Sequence, residues 1–202
     1  MSRRATLAAV AAIAAIGAAG CGSSSSSSSS SGGHQAKAAN PNAPEVSPAG
    51  DIPDNQAYVP YSPPGAGFSV KVPEGWSRTA SGGAVTFTDK LNTVRIEAAT
   101  AHAPLTVREA RQTELPKLAS SVRGFRAGKV STVTRHAGTA VRMTYLATAQ
   151  PNPVTGKTGQ SAVERYVFFH KGRDVVLTLS GPKGADNVDP WRIITDSVTW
   201  SR

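Results

Sequence analysis

Ala162-Val163-Glu164-Arg165-Tyr166-Val167-Phe168-Phe169-His170 carries apolar side chains at both odd and even positions. After the turn Lys171-Gly172, residues 174–180 repeat this pattern. A strand that is apolar on both faces is typical of the centre of a sheet that is covered above and below. Residues 162–180 therefore predict a central antiparallel hairpin with further strands beside it.

Outward from this hairpin, alternation of apolar and polar residues predicts more strands. They cover residues 67–72, 84–88 and 94–99 as a meander, and residues 128–135 and 139–149 as a hairpin. Residues 150–160 contain Pro151, Pro153, Gly156 and Gly159, which predict a long exposed loop between hairpins.

Two helices are expected beside the sheet. Thr106 and Glu109 have capping-box spacing, which predicts a helix to about residue 122 that Pro116 should kink or divide. Asp189-Pro190 predicts a second helix, with Asp189 as the capping carboxylate and Pro190 at the first helical position. Its expected inner face is Trp191, Ile194 and Val198.

These elements predict one α+β domain over residues 58–202, with an antiparallel sheet of about six to seven strands flanked by two helices. A chain of that length can bury a substantial core.

The N-terminus contains a basic pair, an apolar run and a cysteine, in that order. Arg3-Arg4 precedes an apolar run over residues 5–19, which is shorter than the roughly 20 residues needed to span a bilayer. Ala18, Ala19 and Gly20 fit signal-peptidase recognition, and the sole cysteine, Cys21, follows them. This pattern resembles the lipobox of bacterial lipoproteins, in which the cysteine receives the lipid, although Ala18 stands where that family more often has leucine. The alternative is an ordinary secretory signal with an incidental cysteine.

Residues 1–20 are thus predicted to be a signal peptide, and residues 21–57 a lipidated, disordered tether. The tether contains nine consecutive serines, residues 23–31, and then a Pro/Ala/Asn-rich stretch. A segment with so few large apolar residues cannot offset the entropy of ordering it.

Three motifs carry a resemblance to a known group of proteins. They are Phe68-Ser69-Val70-Lys71-Val72-Pro73-Glu74-Gly75-Trp76, Tyr166-Val167-Phe168-Phe169 and Asp186-Asn187-Val188-Asp189-Pro190-Trp191. Together they resemble exported actinobacterial lipoproteins whose domain is similar to the PsbP/Mog1-like fold. The resemblance implies an accessory or docking role, and it brings no catalytic residue and no cofactor.

Motifs for catalysis, metals and nucleotides are incomplete. Gly156-Lys157-Thr158 lacks the first glycine of a phosphate-binding loop, whose position Pro151 occupies. The four histidines, His34, His102, His136 and His170, have no metal-ligand spacing and are expected in the tether, turns or strand ends. Helix capping accounts for Asp189, and turn formation for Asp186, better than a calcium loop or acid pair. We therefore predict no enzyme, metal site or cofactor.

The formal charge is +9, and loss of Arg3 and Arg4 with the leader leaves +7. Export would remove nucleic acid as a partner, and it leaves anionic lipid headgroups or wall polymers as candidates. The alternative is that the basic residues bind nothing and only keep the surface soluble. The leading interpretation is a membrane-anchored lipoprotein of the cell envelope, bound through Cys21, whose domain binds a protein partner. The alternative is a carrier or sensor of a small apolar or lipid ligand held between the sheet and residues 106–122. An envelope hydrolase is a third, weaker interpretation.

Overall fold

The computed structural model describes residues 49–151 and 156–201, and these form ten strands and two helical regions. In chain order the strands are β1 (Tyr58–Tyr61), β2 (Phe68–Pro73), β3 (Ser77–Ser81), β4 (Ala84–Asp89), β5 (Asn92–Thr100), β6 (Arg126–Arg135), β7 (Gly138–Thr148), β8 (Gln160–His170), β9 (Arg173–Pro182) and β10 (Thr199–Trp200). The first helical region comprises α1 (Val107–Glu109), a π-helical turn (Ala110–Glu114) and α2 (Leu115–Ser121), and the second is α3 (Val188–Asp196).

The main sheet has seven strands in the order β3-β4-β5-β9-β8-β7-β6, all paired antiparallel. Its middle strand is β9, whose Val175 and Leu177 are fully buried, and β8 lies beside it. The prediction of a central hairpin over residues 162–180 is therefore confirmed, as is the α+β fold class.

Each face of this sheet carries its own core. On one face, α3 and the small sheet β1-β2-β10 pack over Ile96, Phe168 and Leu177. On the other face, the first helical region packs against Val141 and Met143, with Ala110 completely buried at the contact. Two covered faces explain why β8 and β9 are apolar on both sides.

The predicted capping box at the first helix is present. The backbone N–H of Glu109 donates to the Thr106 hydroxyl at 3.1 Å, and the backbone N–H of Thr106 donates to the Glu109 carboxylate at 2.9 Å. Pro116 divides the helix as expected, because a π-helical turn precedes it in which the Leu115 N–H bonds to the Ala110 carbonyl. Proline cannot supply the next backbone donor, and the wider turn accommodates that loss.

The predicted meander requires a correction. Strand β2, placed in the meander by its alternating pattern, instead belongs to the small sheet with β1 and β10. Its place in the main sheet is taken by β3, which the sequence did not predict because every residue of Ser77–Ser81 is exposed. An edge strand without a buried face has no apolar alternation to detect.

The start of α3 also differs from the prediction. The helix begins at Val188 and its N-cap is Asn187, so Asp189 lies within the first turn and does not cap the helix. The Asn187 amide turns inward, where its oxygen accepts from the Ile52 N–H at 2.7 Å and its nitrogen donates to Asn92 at 3.1 Å and to the Gly50 carbonyl at 3.0 Å. Gly181 makes room for this cluster, because a Cβ there would lie 2.7 Å from the Asn187 nitrogen.

These bonds extend the folded domain toward the N-terminus. Ile52, which the prediction assigned to the tether, is only 3% exposed and belongs to the first core. Asp51 adds a further contact by accepting a 2.9 Å hydrogen bond from the Asp186 backbone. The folded part therefore begins by Gly50 and not at Tyr58.

None of the helices in residues 49–151 and 156–201 is long and apolar enough to cross a bilayer.

Candidate functional site

The predicted lipidation residue, Cys21, and the predicted recognition residues, Ala18, Ala19 and Gly20, lie outside the described residues. The lipid anchor therefore stays a prediction. The candidate site within the domain is where the first helical region meets the main sheet, the position at which an apolar ligand was considered from the sequence.

A groove of about 650 Å³ opens at the N-terminal end of this helix. One wall is the segment leading into α1, and the other is the face of β6, β7 and β8. We call it the helix-end groove, and its principal lining residues are Pro104, Leu105, Val107, Arg108, Thr132, Thr139, Val141, Val167 and Phe169.

The capping box fixes the helical wall of the groove. Thr106 and Glu109 hold each other across the first turn, and the hydrogen bonds from the Thr106 side chain and backbone keep the pKa of the Glu109 carboxyl below its usual value. Leu105 and Val107, on either side of Thr106, pack against the second core. Arg108 stays exposed and supplies the only charged side chain among the groove's lining residues.

Farther along the helix the contact with the sheet is closed. Ala110 and Met143 are both 0% exposed, and Leu115 and Leu118 pack against the same cluster. The interface is thus filled in its middle, and the groove opens at the N-terminal end of the helix. The groove is a surface feature in which a partner's side chains or one apolar chain could lie.

Beyond the helix, the same sheet face becomes polar. The Glu97 carboxylate accepts from Arg95 and from Arg165, each at 3.1 Å, and Arg165 also donates to the Thr178 hydroxyl at 2.8 Å. Partial burial acts to raise the pKa of Glu97, but hydrogen bonds and positive charge from the two arginines outweigh it and lower the pKa. This self-paired ionic cluster lies on β5, β9 and β8, on the side of the sheet toward β4.

A second polar cluster lies under α3. The Tyr166 hydroxyl donates to Glu164 at 2.5 Å, and the Arg135 guanidinium lies 5.5 Å from the Tyr166 ring centroid. Arg135 also donates to the Thr195 hydroxyl at 2.9 Å. Burial, followed by the neighbouring Glu164, raises the pKa of Tyr166. Tyr166 is 1% exposed, so its ring is closed to a ligand, and the bond from Arg135 to Thr195 ties the sheet to α3.

The remaining candidate residues do not converge. His102 and His136 are exposed, as predicted, whereas His170 is half-buried and stacks on Trp200 with ring centroids 4.8 Å apart. Gly156-Lys157-Thr158 is an exposed connection before β8, and His34 lies outside the described residues. Within residues 49–151 and 156–201, no three His, Cys, Asp or Glu side chains form a group that could hold a metal ion.

One local feature of the sequence could have indicated part of the groove. Leu105 precedes the N-cap Thr106, and Ala110 is the fourth helical residue, which is the spacing of a hydrophobic staple. That spacing would have placed Leu105 against the sheet. Thr132, Thr139 and Phe169 carry no comparable signal, because only the pairing of β6, β7 and β8 brings them to the groove.

Comparison with known proteins gives the fold and no closer relationship. No protein-family model matches the chain, and no curated protein matches its sequence. The solution structure of cyanobacterial PsbP (CyanoP) from Synechocystis is similar over 72% of this chain and 93% of that chain, with 14% identity and a TM-score of 0.51. The domain has a PsbP-like fold. This agrees with the fold expected from the resemblance.

Two further solved structures are similar to this chain over part of its length. A Bacteroides thetaiotaomicron protein is 19% identical over 71% of this chain, with a TM-score of 0.48, and the match spans only 48% of its own length. LpqN of Mycobacterium tuberculosis, described as involved in cell envelope biogenesis, is 15% identical over 74% of this chain and 93% of its own, with a TM-score of 0.43.

Proposed function

We propose that this protein is a lipid-anchored lipoprotein on the extracytoplasmic face of the bacterial cell membrane, whose PsbP-like domain binds a partner protein without catalysing a reaction. The observation that carries the binding role is the helix-end groove, open at one end of an otherwise packed helix–sheet contact. The anchor rests on Cys21 and on the small residues before it, in the pattern of a lipobox.

The groove suits a protein partner because its surface is mixed. Leu105 and Val107 on the helical wall and Phe169 on the sheet wall supply apolar area, while the exposed Thr132 and Thr139 supply hydroxyl groups on the sheet wall. Protein interfaces combine an apolar centre with a polar rim in this way. A carrier of a small apolar or lipid ligand is the second candidate, favoured by the apolar share of this lining and by a volume of about 650 Å³.

The anchor is tested by intact mass of the protein purified from its native membrane. We expect a chain that begins at Cys21 and carries two or three acyl chains, because a single chain binds a membrane only marginally. Cys21→Ser should release the protein from the membrane. An uncut chain, or a cut chain without lipid, would contradict the proposal.

The groove is tested with two tryptophan variants. Thr139→Trp fills the groove, whereas Thr79→Trp places the same ring on the exposed edge strand β3. Protein and lipid that co-purify with the anchored chain would be measured by mass spectrometry. We expect at least a tenfold loss of one protein with Thr139→Trp and no loss with Thr79→Trp. A stoichiometric lipid lost in the same way would favour the carrier, and equal recovery from both variants would refute both roles for the groove.

A further inference from the structure

Strand β5 is longer than its neighbour β4. The β4 pairing ends where Ala84 meets Glu97, but the β9 pairing continues to Thr100 opposite Arg173. Residues 98–100 therefore have β9 on one side, and no strand among the described residues lies on the other. All three of these residues are exposed.

The backbone of this segment has bonding groups directed toward its open side. The Ala101 N–H donates to the Gly172 carbonyl at 3.0 Å, on the β9 side. Backbone groups alternate between the two sides of a strand, so the N–H and C=O of Thr100 point away from β9. An exposed strand edge with such groups is a template for another extended chain.

The open side is bounded by a cavity of about 300 Å³. Its far wall is the loop 63–66, and Arg173 holds that wall by donating to the Gly65 carbonyl at 3.1 Å and to the Ala66 carbonyl. The remaining lining includes three small residues, Gly83 just before β4 and Ala98 and Ala99 on β5, beside the larger Phe68, Val85 and Ile96. We call this cavity the β5 slot. Its small lining residues leave space for a backbone with short side chains.

The charges around the β5 slot disfavour a basic occupant. Glu97 is already paired with Arg95 and Arg165, and Arg173 donates to loop carbonyls and has no carboxylate at ion-pair distance among the described residues. A Lys or Arg side chain would lose water beside this net positive charge without gaining an unpaired carboxylate. A segment without basic side chains avoids that cost.

We propose that the β5 slot is a strand-addition site for an extended partner segment that has small side chains such as Ser, Ala or Gly and no Lys or Arg. The segment would run antiparallel to β5 in line with β4, bond to Thr100, and cover about three residues, or roughly 10 Å of strand. This inference rests on the proposed partner-binding function, and it assigns a second contact separate from the helix-end groove.

The test is a nuclear magnetic resonance titration of residues 21–202 carrying Cys21→Ser. The probes are the capped hexapeptide Ser-Ala-Ser-Ala-Ser-Ala, a version with both outer serines replaced by lysine, and a version with its central alanine replaced by proline. We expect saturable shifts at the amides of Thr100 and Gly83 with the first peptide, and at least tenfold weaker binding of the other two.

Variants separate backbone bonding from side-chain effects. Thr100→Pro removes the outward N–H and should abolish binding, whereas Thr100→Ala keeps that N–H and should bind like the parent chain. If Thr100→Pro unfolds, Ala98→Gln, at an exposed position that lines the slot, gives the same test by filling it.

Binding that survives Thr100→Pro or Ala98→Gln, or no saturable shift in the parent chain, would overturn the assignment. A further outcome is protection of the Thr100 amide from hydrogen exchange even without peptide. If that protection does not depend on protein concentration, the occupant is the chain's own tether, and if it rises with concentration, the occupant is a second copy of the chain. Either result would also overturn the assignment. If the peptide does not bind but Thr139→Trp still removes the co-purifying protein, the proposed function would stand without the β5 slot.

Discussion

Replacement of Asn187 by alanine tests whether one buried amide joins the N-terminal segment to the domain. Asn187 is 3% exposed and makes three hydrogen bonds, to Ile52, Gly50 and Asn92, of which Asn92 is 4% exposed. A buried donor or acceptor left without a partner costs about 1–3 kcal/mol. The substitution leaves the Ile52 N–H and the Asn92 amide oxygen in that state, while Gly50 can regain water. We therefore expect a loss of about 2–4 kcal/mol in unfolding free energy.

Urea denaturation followed by circular dichroism measures this loss, and the matched control is Asn55→Ala at an exposed position. The control should change stability by less than about 0.5 kcal/mol. The urea concentration at the unfolding midpoint should be lower for Asn187→Ala, while the slope of the unfolding free energy against urea should not change. That combination identifies lost stability of the folded state and not a changed unfolded state. A loss below about 1 kcal/mol, or one equal to the control, would refute the reasoning.

Three further predictions concern the helix, the second core and pH. Thr106→Ala should cost about 1 kcal/mol through loss of the cap, whereas Thr79→Ala on an exposed strand should cost less than half of that in the same urea assay. Met143→Ala should cost about 2–5 kcal/mol by leaving a cavity, and thermal melting that matches the parent would contradict complete burial of Met143. Burial and then the nearby Glu114 raise the pKa of Asp174, so its ionisation at neutral pH disfavours the folded state. Asp174→Asn should therefore raise the melting temperature at pH 7. The difference from the parent chain should disappear below about pH 3.9, where the carboxyl is protonated in both the folded and the unfolded chain. A lower melting temperature of the variant at pH 7 would show that the carboxylate stabilises the fold.

Much of the sheet could be predicted because the pattern of apolar residues along a strand depends on which of its faces are buried. Val175 and Leu177 lie on a strand that is apolar on both faces, and that pattern requires cover on both sides. The capping box at Thr106 was equally predictable, since it depends on four consecutive residues. Local signals of this kind need no knowledge of distant parts of the chain.

The errors arise where distant residues decide the outcome. Asp189 has the local features of a cap, but Asn187 takes that position because its amide is required by Ile52 and Asn92, which are remote in sequence. Ile52 is a single large apolar residue in a polar stretch, so composition alone assigns it to the tether. Pro60 in β1 hides that strand, because proline is typical of edges and turns.

The candidate sites are still less visible in the sequence. The helix-end groove needs Thr132, Thr139 and Phe169 to meet from three strands. The β5 slot exists because β4 starts opposite Glu97 while β5 continues to Thr100. Such differences in strand length follow from pairing register, which alternation does not specify.

The pairing of β10 with β2 has a consequence for the order of folding. Trp200 pairs with Phe68, and their ring centroids are 6.5 Å apart, although most of the domain separates them along the chain. Helix α3, over the same face, also follows every strand of the main sheet in the chain. A nascent chain that stops before Val188 would expose the apolar surface that these late elements cover. Contacts between such distant residues slow folding. The domain can therefore reach its native state only after Trp200 has left the ribosome, so its earlier strands must wait for the cover of their apolar face.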